Sequence, residues 1–329
     1  MSYDKPRPRR IVAGIDFSHT SIAAVRWAST WLLRDSELTL GHALVVPEIS
    51  GVLAEKYPLP ESLLINARVG AKRRLRELGR TLGVPEPAIE IREGKPADAI
   101  AEIARACKAD LIIVGKHGDG AQPRGYTGRT ADRLVRSAPA AILVANGALT
   151  EAPTRILVPL TYSSITPFII EWARRLFEAT GATIVAIHVV GAAVLSHVLS
   201  MSNVTKGEPP TAEQIDQIFR EDGDHWKKEL MDAGIPADKI TAEVVFGEVS
   251  SAVLTSVNKH RADMIVMGSH AGPVRRLLLG SAASAVLRDA DVPVLVVTEP
   301  DPSTTPELIE ASADENVSAD SPILSDALR

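Results

Sequence analysis

Two groups of residues in this chain of 329 residues have the types and spacing to hold a charged ligand. One is Asp16, a carboxylate at the end of an apolar run, and the other is the glycine series Gly115, Gly118 and Gly128. Glycines let a backbone approach a ligand closely, and a helix that begins behind such a loop presents free N–H groups that suit a phosphate. A carboxylate at one end and an anion site at the other match the polarity of a nucleotide.

The strands that precede Asp16 and the glycines determine where these residues lie in the fold. Short β-branched runs alternate with segments of helical periodicity along most of the chain. The strands predicted in the first half cover residues 11–16, 38–42, 89–91, 111–114 and 141–145. Because four predicted helices separate them, we expect a parallel sheet with helices on both faces. In an open sheet of this kind ligands bind beyond the carboxyl ends of the strands, where Asp16 and the glycines follow.

The chain also repeats itself. Residues 11–16 return as 156–161, and residues 111–115 return as 264–268. The order of such matches is kept while the offset drifts only from 145 to 153, which indicates one duplicated domain with small insertions. The sequence therefore predicts two tandem α/β domains, each a five-stranded parallel sheet.

Composition and charge indicate the domain bounds and exclude several classes of protein. We predict domains at residues 1–150 and 151–300, and a disordered acidic tail at 301–329 with seven acids and one base. Since the whole chain carries −5, the remaining residues sum to about +1, which argues against a nucleic-acid binder. We also expect no membrane span, no signal peptide and a cytoplasmic location. Cys107 is the only cysteine, so an intrachain disulfide is excluded.

At these residues the chain resembles the universal stress protein family. The ATP-binding subset of that family carries glycines spaced as Gly115, Gly118 and Gly128, then a serine or threonine, and an aspartate at the position of Asp16. The resemblance covers roughly residues 9–146 and 154–298. It implies Rossmann-like domains of the adenine nucleotide alpha hydrolase type, with ATP, ADP or AMP as ligand, with or without Mg²⁺.

The resemblance also implies roles for individual residues. Asp16 and the backbone at Ala43 would hold the adenine or ribose end, and the three glycines would line the phosphates. The candidate ligand contacts of the first half are Gly14, Asp16, Ala43, Gly115, His117, Gly118, Gly128, Arg129 and Thr130. Those of the second half are Val189, Gly268, Gly280, Ser281 and Ala282.

Each half departs from the family pattern. Arg129 stands where the family has serine or threonine, although Thr130 follows it. In the second half Thr161 replaces the aspartate, and Ala271 replaces the second glycine in a loop that is one residue shorter. We therefore expect the first half to bind the nucleotide better and the second site to be degenerate.

Structural roles explain several other conspicuous residues. His42 and His188 recur at a strand end, and we expect them to donate to backbone rather than to catalyse. Cys107 lies on an apolar helical stripe, which favours core packing. The basic run that begins at Lys72 is typical of a solvated helix face, and the spacing of the histidines does not suggest a metal site.

Three functions remain open at this level. The first is a nucleotide-binding regulator of the stress response with unknown protein partners, the second a slow ATPase, and the third an interaction module without ligand. A Walker lysine context is missing around Lys116, which ranks catalysis below binding. The last strand of each half is an exposed apolar edge, so we expect the halves to pair as a pseudo-dimer and two chains to form a homodimer.

Overall fold

A computed structural model describes residues 9–32, 36–46, 60–83, 87–119, 127–145, 150–191, 211–269 and 280–299. The first half alternates five strands with four helices within these residues, as the sequence predicts. Its elements are β1 (Arg10–Gly14), α1 (His19–Trp31), β2 (Glu37–Leu44), α2 (Glu61–Thr81), β3 (Ala88–Glu93), α3 (Pro96–Ala106), β4 (Leu111–Gly115), α4 (Arg129–Ser137) and β5 (Ala141–Ala145).

The second half repeats this order. Its elements are β6 (Arg155–Leu160), α5 (Thr166–Thr180), β7 (Thr183–Val190), α6 (Ala212–Asp232), a 3₁₀ turn (Ala237–Lys239), β8 (Ile240–Phe246), α7 (Val249–His260), β9 (Met264–Gly268), α8 (Ser281–Asp289) and β10 (Val294–Val297). The predicted acidic tail, the segment 192–210 and the loop that contains Ala271 lie outside the described residues.

Local sequence signals set the helix ends. Ser18 caps α1, where its hydroxyl accepts from the Ser21 amide. Thr211 and Gln214 form a capping box at the start of α6. Gly181 ends α5 in the left-handed conformation, which glycine adopts without a steric cost.

The strands form one ten-stranded sheet in the order β3-β2-β1-β4-β5-β10-β9-β6-β7-β8. Pairing is parallel within each half, and β5 pairs with β10 in the antiparallel sense, with Leu143 opposite Leu295. The expected pairing of the two last strands is thus confirmed, and it joins two five-stranded parallel sheets edge to edge. A buried seam of aliphatic side chains stabilises this junction.

Two hydrophobic layers cover the faces of the sheet. One face packs against α1, α2, α5 and α6, and the other against α3, α4, α7 and α8. Trp27 is 2% exposed and Trp31 is 7% exposed, so both tryptophans of α1 belong to the core. Cys107 ends α3 half-buried and packs against the second layer, which confirms its structural role. Within the described residues, the helices are too short or too polar to cross a bilayer.

Candidate functional site

The candidate site lies where the strand order of the first half reverses. Strand β1 pairs with β2 on one side and with β4 on the other, and all three run in parallel. Their carboxyl ends therefore meet at one edge, which carries Asp16 after β1, Ala43 near the end of β2 and the glycine loop after β4. This is the position at which open α/β sheets bind ligands.

Asp16 is exposed, and its two carboxylate oxygens have different surroundings. Oδ1 accepts hydrogen bonds from the backbone N–H of Ser18, at 2.9 Å, and from the Ser18 hydroxyl. This oxygen therefore serves the turn into α1, which is the structural role that any aspartate in this position could have. Oδ2 faces the glycine loop, since a Cβ atom built on Gly118 would lie 3.3 Å from it.

Phe17, next to Asp16, has a left-handed backbone. Its φ angle is 64°, a conformation that bulky residues rarely adopt and that costs roughly 1–3 kcal/mol. The Arg74 guanidinium lies 3.8 Å from the centre of the Phe17 ring, and the His42 ring packs at 4.8 Å. Arg74 was predicted only as part of a solvated run, and sequence reasoning missed its contact because nothing local links α2 to Phe17.

The loop after β4 is tied to the start of α1. The Thr20 hydroxyl donates to the carbonyl oxygen of His117, and the His19 amide donates to Asp119 Oδ1 at 3.0 Å. Burial lowers the pKa of His117, and the nearby Lys116 charge lowers it further. The imidazole is therefore neutral near pH 7, so it can donate or accept a hydrogen bond without adding charge to the site.

The far end of the loop closes back on its beginning. The Gly128 amide donates to the carbonyl oxygen of Lys116 at 2.8 Å, and a Cβ atom on Gly128 would come within 2.9 Å of that oxygen. Helix α4 begins directly afterwards with Arg129, which is exposed, and Thr130, which is half-buried. Gly128 has no side chain to cap α4, and within the described residues no side chain accepts from the first amides of this helix, which is the arrangement that suits an anion.

Two of the predicted glycines have a packing reason to be small. A Cβ atom on Gly115 would lie 2.7 Å from the Ser21 amide nitrogen and from Thr20 Oγ1, so the glycine lets α1 approach β4. A Cβ atom on Gly14 would lie 3.1 Å from Val114 Cγ1. These contacts explain Gly14 and Gly115 without a ligand, and their part in binding stays a prediction.

The side chain of Lys116 turns away from the loop. Lys116 is 7% exposed, and its Nζ atom donates to the carbonyl oxygen of Ala290 at the end of α8, at 2.7 Å. Burial lowers the pKa of Lys116, while the charges of Asp291 and Asp289 act in the opposite direction. This contact between the halves was missed, because a polar residue in a glycine loop carries no signal for it.

The two recurrent histidines have the predicted structural role. His42 Nδ1 lies 2.7 Å from the carbonyl oxygen of Ile15, and His188 Nδ1 lies 3.0 Å from that of Leu160. Because a carbonyl oxygen only accepts, Nδ1 is the protonated nitrogen in each contact. The two rings therefore donate equivalent hydrogen bonds to the backbone at the ends of β1 and β6.

The second half keeps the loop closure but has a different chemistry after its first strand. The Gly280 amide donates to Ser269 O at 2.8 Å, directly before α8. Thr161 supplies no carboxylate, and its carbonyl oxygen accepts from the Thr166 hydroxyl. The remaining candidates take equivalent positions, with Val189 near the end of β7, Gly268 at the end of β9, and Ser281 and Ala282 at the start of α8.

A polar aromatic cluster lies beside Thr161. The Tyr162 hydroxyl donates to the buried Asp222 carboxylate on α6, and its ring contacts those of His188, His225 and Trp226. Burial and the Asp222 contact raise the pKa of Tyr162. No group of three or more metal-ligating side chains occurs among the residues that the structure describes.

The fold and the duplicated loops define a tandem α/β protein with one Rossmann-like unit in each half. The family model for the universal stress protein family matches residues 8–146 and again residues 153–298. The chain therefore belongs to the universal stress protein family.

Relatives of similar length agree with this assignment, and a solved structure agrees with the fold. A universal stress protein of Mycolicibacterium smegmatis is 26% identical over 301 residues, which cover 87% of this chain and 96% of that protein. One of Mycobacterium tuberculosis is 26% identical over 318 residues, which cover 90% and 99%. The crystal structure of a universal stress protein from Archaeoglobus fulgidus has a TM-score of 0.63 at 16% identity and covers 89% of this chain and 97% of that one, which supports the fold.

Proposed function

We propose that this universal stress protein is a cytoplasmic regulator that binds an adenine nucleotide, and that the first half, taken as residues 1–150, holds the ligand. The observation that carries this proposal is that Asp16 Oδ2 lies beside Gly118, 3.3 Å from the place that a Cβ atom on this glycine would take. The two residues belong to loops about 100 residues apart in the sequence. One Asp16 oxygen is engaged by Ser18, and the other faces the glycine loop. A carboxylate in this position can accept hydrogen bonds from the hydroxyl groups of a ribose.

The phosphates would lie between the loop and α4. The first amides of α4 follow Gly128, and the helix dipole favours negative charge at that point. Arg129 adds an exposed guanidinium in the first turn. Gly118 leaves room beside Asp16, and Gly128 keeps the loop closed on Lys116, so the residues present fit a nucleotide phosphate chain. When bound, Mg²⁺ would offset phosphate charge.

Binding is better supported than hydrolysis. Lys116 follows Gly115, but its ammonium group donates to the carbonyl oxygen of Ala290. It is therefore not placed to stabilise a phosphoryl group during transfer. The second half, taken as residues 151–300, has Thr161 in place of the carboxylate and commits the neighbouring Tyr162 to Asp222. We therefore propose that it binds nucleotide weakly or serves as the partner of the first half.

Calorimetric titration of the purified chain with ATP, ADP and AMP tests the proposal. Asp16→Asn keeps an oxygen for Ser18 but removes the charge, so we expect affinity to fall about tenfold or more with little change in stability. Glu102→Gln is the matched control, because Glu102 is exposed on α3, away from the site. Thr161→Ala should bind like the unaltered chain.

The outcomes separate the alternatives. An unaltered chain that binds none of the three nucleotides would overturn the proposed function. Equal losses for Asp16→Asn and Thr161→Ala would contradict the assignment to the first half. Release of phosphate from ATP in Mg²⁺, absent without the metal and absent in Asp16→Asn, would replace the regulator with the ATPase.

A further inference from the structure

The residues on either side of Asp16 are held by contacts from other elements. Before Asp16, the Ile15 carbonyl oxygen accepts from His42 Nδ1 on β2, at 2.7 Å. After it, the Phe17 ring contacts the His42 ring, with 4.8 Å between the ring centres. The guanidinium of Arg74 on α2 lies 3.8 Å from the centre of the Phe17 ring. Strand β2 and helix α2 therefore both contact the turn that carries Asp16.

This turn needs an unusual backbone at Phe17. Asp16 Oδ1 accepts from the Ser18 amide at 2.9 Å, so the hydrogen bond spans Phe17 and forms an Asx turn. The φ angle of 64° at Phe17 belongs to the left-handed region, which the Cβ atom of a phenylalanine disfavours. Other contacts must offset that cost. The ring contacts of Phe17 with His42 and Arg74 can do so, because they exist only where the turn places the ring.

The second half keeps the ring contacts without this backbone. In the repeat, Asp16, Phe17, His42 and Arg74 correspond to Thr161, Tyr162, His188 and His225. The rings of His188 and His225 each lie 5.5 Å from that of Tyr162. Tyr162 is not among the described non-glycine residues with a positive φ. Since Thr161 has no carboxylate, the left-handed turn occurs in the half that has a carboxylate to place, and ring packing alone does not require it.

We propose that Arg74 is a positioning residue of the nucleotide site. Through the Phe17 ring it stabilises the left-handed turn, and the turn directs Asp16 Oδ2 toward the Gly118 loop. The role in ligand binding rests on the proposed function, whereas the stabilisation of the turn does not. When the binding-competent conformation is only partly populated, the apparent affinity falls by that fraction. Loss of the Arg74 contact therefore weakens binding although no ligand contact is removed.

Substitutions at Arg74 and Phe17 test the proposal by calorimetric titration of the full chain with ATP. Arg74→Gln removes the charge over the ring, and the affinity should fall about two- to fivefold, which corresponds to an exposed cation–π contact. Phe17→Ala should lose at least as much, because alanine keeps the Cβ atom but has no ring. Phe17→Gly should bind within about twofold of the unaltered chain, because glycine adopts a positive φ without steric cost.

A double variant separates positioning from direct contact with the ligand. In Phe17→Gly the turn needs no support from Arg74, so adding Arg74→Gln should change the affinity by less than about twofold. An equal loss in both backgrounds would show that Arg74 contacts the nucleotide itself, and would overturn the proposal. Arg76→Gln, an exposed change on the same helix, is the matched control for charge. A loss as large as that of Arg74→Gln would also overturn it.

Hydrogen exchange of the Ser18 amide tests the turn without any nucleotide. This amide donates to Asp16 Oδ1, so its protection reports how far the turn is formed. Arg74→Gln should lower the protection about two- to fivefold, and Arg76→Gln should leave it unchanged. Unchanged protection in Arg74→Gln overturns the inference even when ATP binds. If the unaltered chain binds no nucleotide, the proposed function fails, and the exchange rates alone decide whether Arg74 stabilises the turn.

Discussion

The Lys116 ammonium group and the Ala290 carbonyl oxygen, 2.7 Å apart, connect the glycine loop of the first half to the last helix of the second half. The two residues are 174 positions apart in the sequence. The position equivalent to Lys116 in the second half is Ser269, so the duplication has become asymmetric at this contact.

Lys116→Met should destabilise the protein. The substitution keeps most of the apolar stem but removes the Nζ donor, so the carbonyl oxygen of Ala290 at the end of α8 loses the hydrogen bond from Lys116. We expect the free energy of unfolding to fall by about 1–3 kcal/mol. Urea unfolding measures it, with Lys108→Met as an exposed control. Equal losses for both variants would show that the contact contributes nothing.

Gly115 and Gly118 should respond differently to alanine. Gly115→Ala forces a Cβ atom to 2.7 Å from the Ser21 backbone, so the melting temperature should fall. Among the described residues, a Cβ atom on Gly118 would meet only Asp16 Oδ2, at 3.3 Å, so Gly118→Ala should weaken ATP binding with little change in melting temperature. Thermal unfolding and calorimetric titration of the two variants separate these effects. Similar melting temperatures would contradict the packing role of Gly115.

Alanine substitutions at Gly70 and Gly79 of α2 should change the free energy of unfolding in opposite directions. A Cβ atom on Gly70 would meet no other atom within 4 Å in the part of the chain that the structure describes, so Gly70→Ala should stabilise the helix by up to about 1 kcal/mol. A Cβ atom on Gly79 would lie 2.3 Å from Pro87 Cγ, so Gly79→Ala should destabilise the protein by about 1–3 kcal/mol. Urea unfolding gives both values. The same sign for both variants would contradict the described contact between α2 and Pro87.

Glu248 should make stability depend on acid pH. Hydrogen bonds from the Ser250 hydroxyl and from the Ser250 and Ser251 amides lower the pKa of Glu248 to about 2, against 4.5 for the free group. Because the folded pKa is the lower one, the stabilisation is fully present above pH 4.5 and is lost as the pH falls toward 2.

Glu248→Gln checks this dependence. The difference in unfolding free energy between the unaltered chain and the variant should be constant near neutral pH and should shrink between pH 4.5 and about 2. Guanidinium unfolding at a series of pH values provides the measurement, with Glu102→Gln as the exposed control. A difference that does not change with pH would show that Glu248 does not cap α7 as a carboxylate.

Much of the fold could be predicted because its signals are local. The apolar run predicted as a strand at residues 141–145 forms β5 with the same bounds, Ala141–Ala145. Apolar residues recur at helical spacing along α2 from Leu64 onward, yet the residues buried on this helix begin at Ala71. A periodic pattern shows which side of a helix is apolar, but not how far the sheet extends beneath it.

The sequence by itself determined the alternation of strands and helices, the duplication and the family, because each of these is written in residue spacing along the chain. Only the tertiary structure decided that one Asp16 oxygen accepts from Ser18 while the other faces the Gly118 loop. It also decided that Lys116 donates to Ala290. Such contacts join residues far apart in the chain. They depend on how the strands order and pair in the sheet, and local spacing does not specify that arrangement.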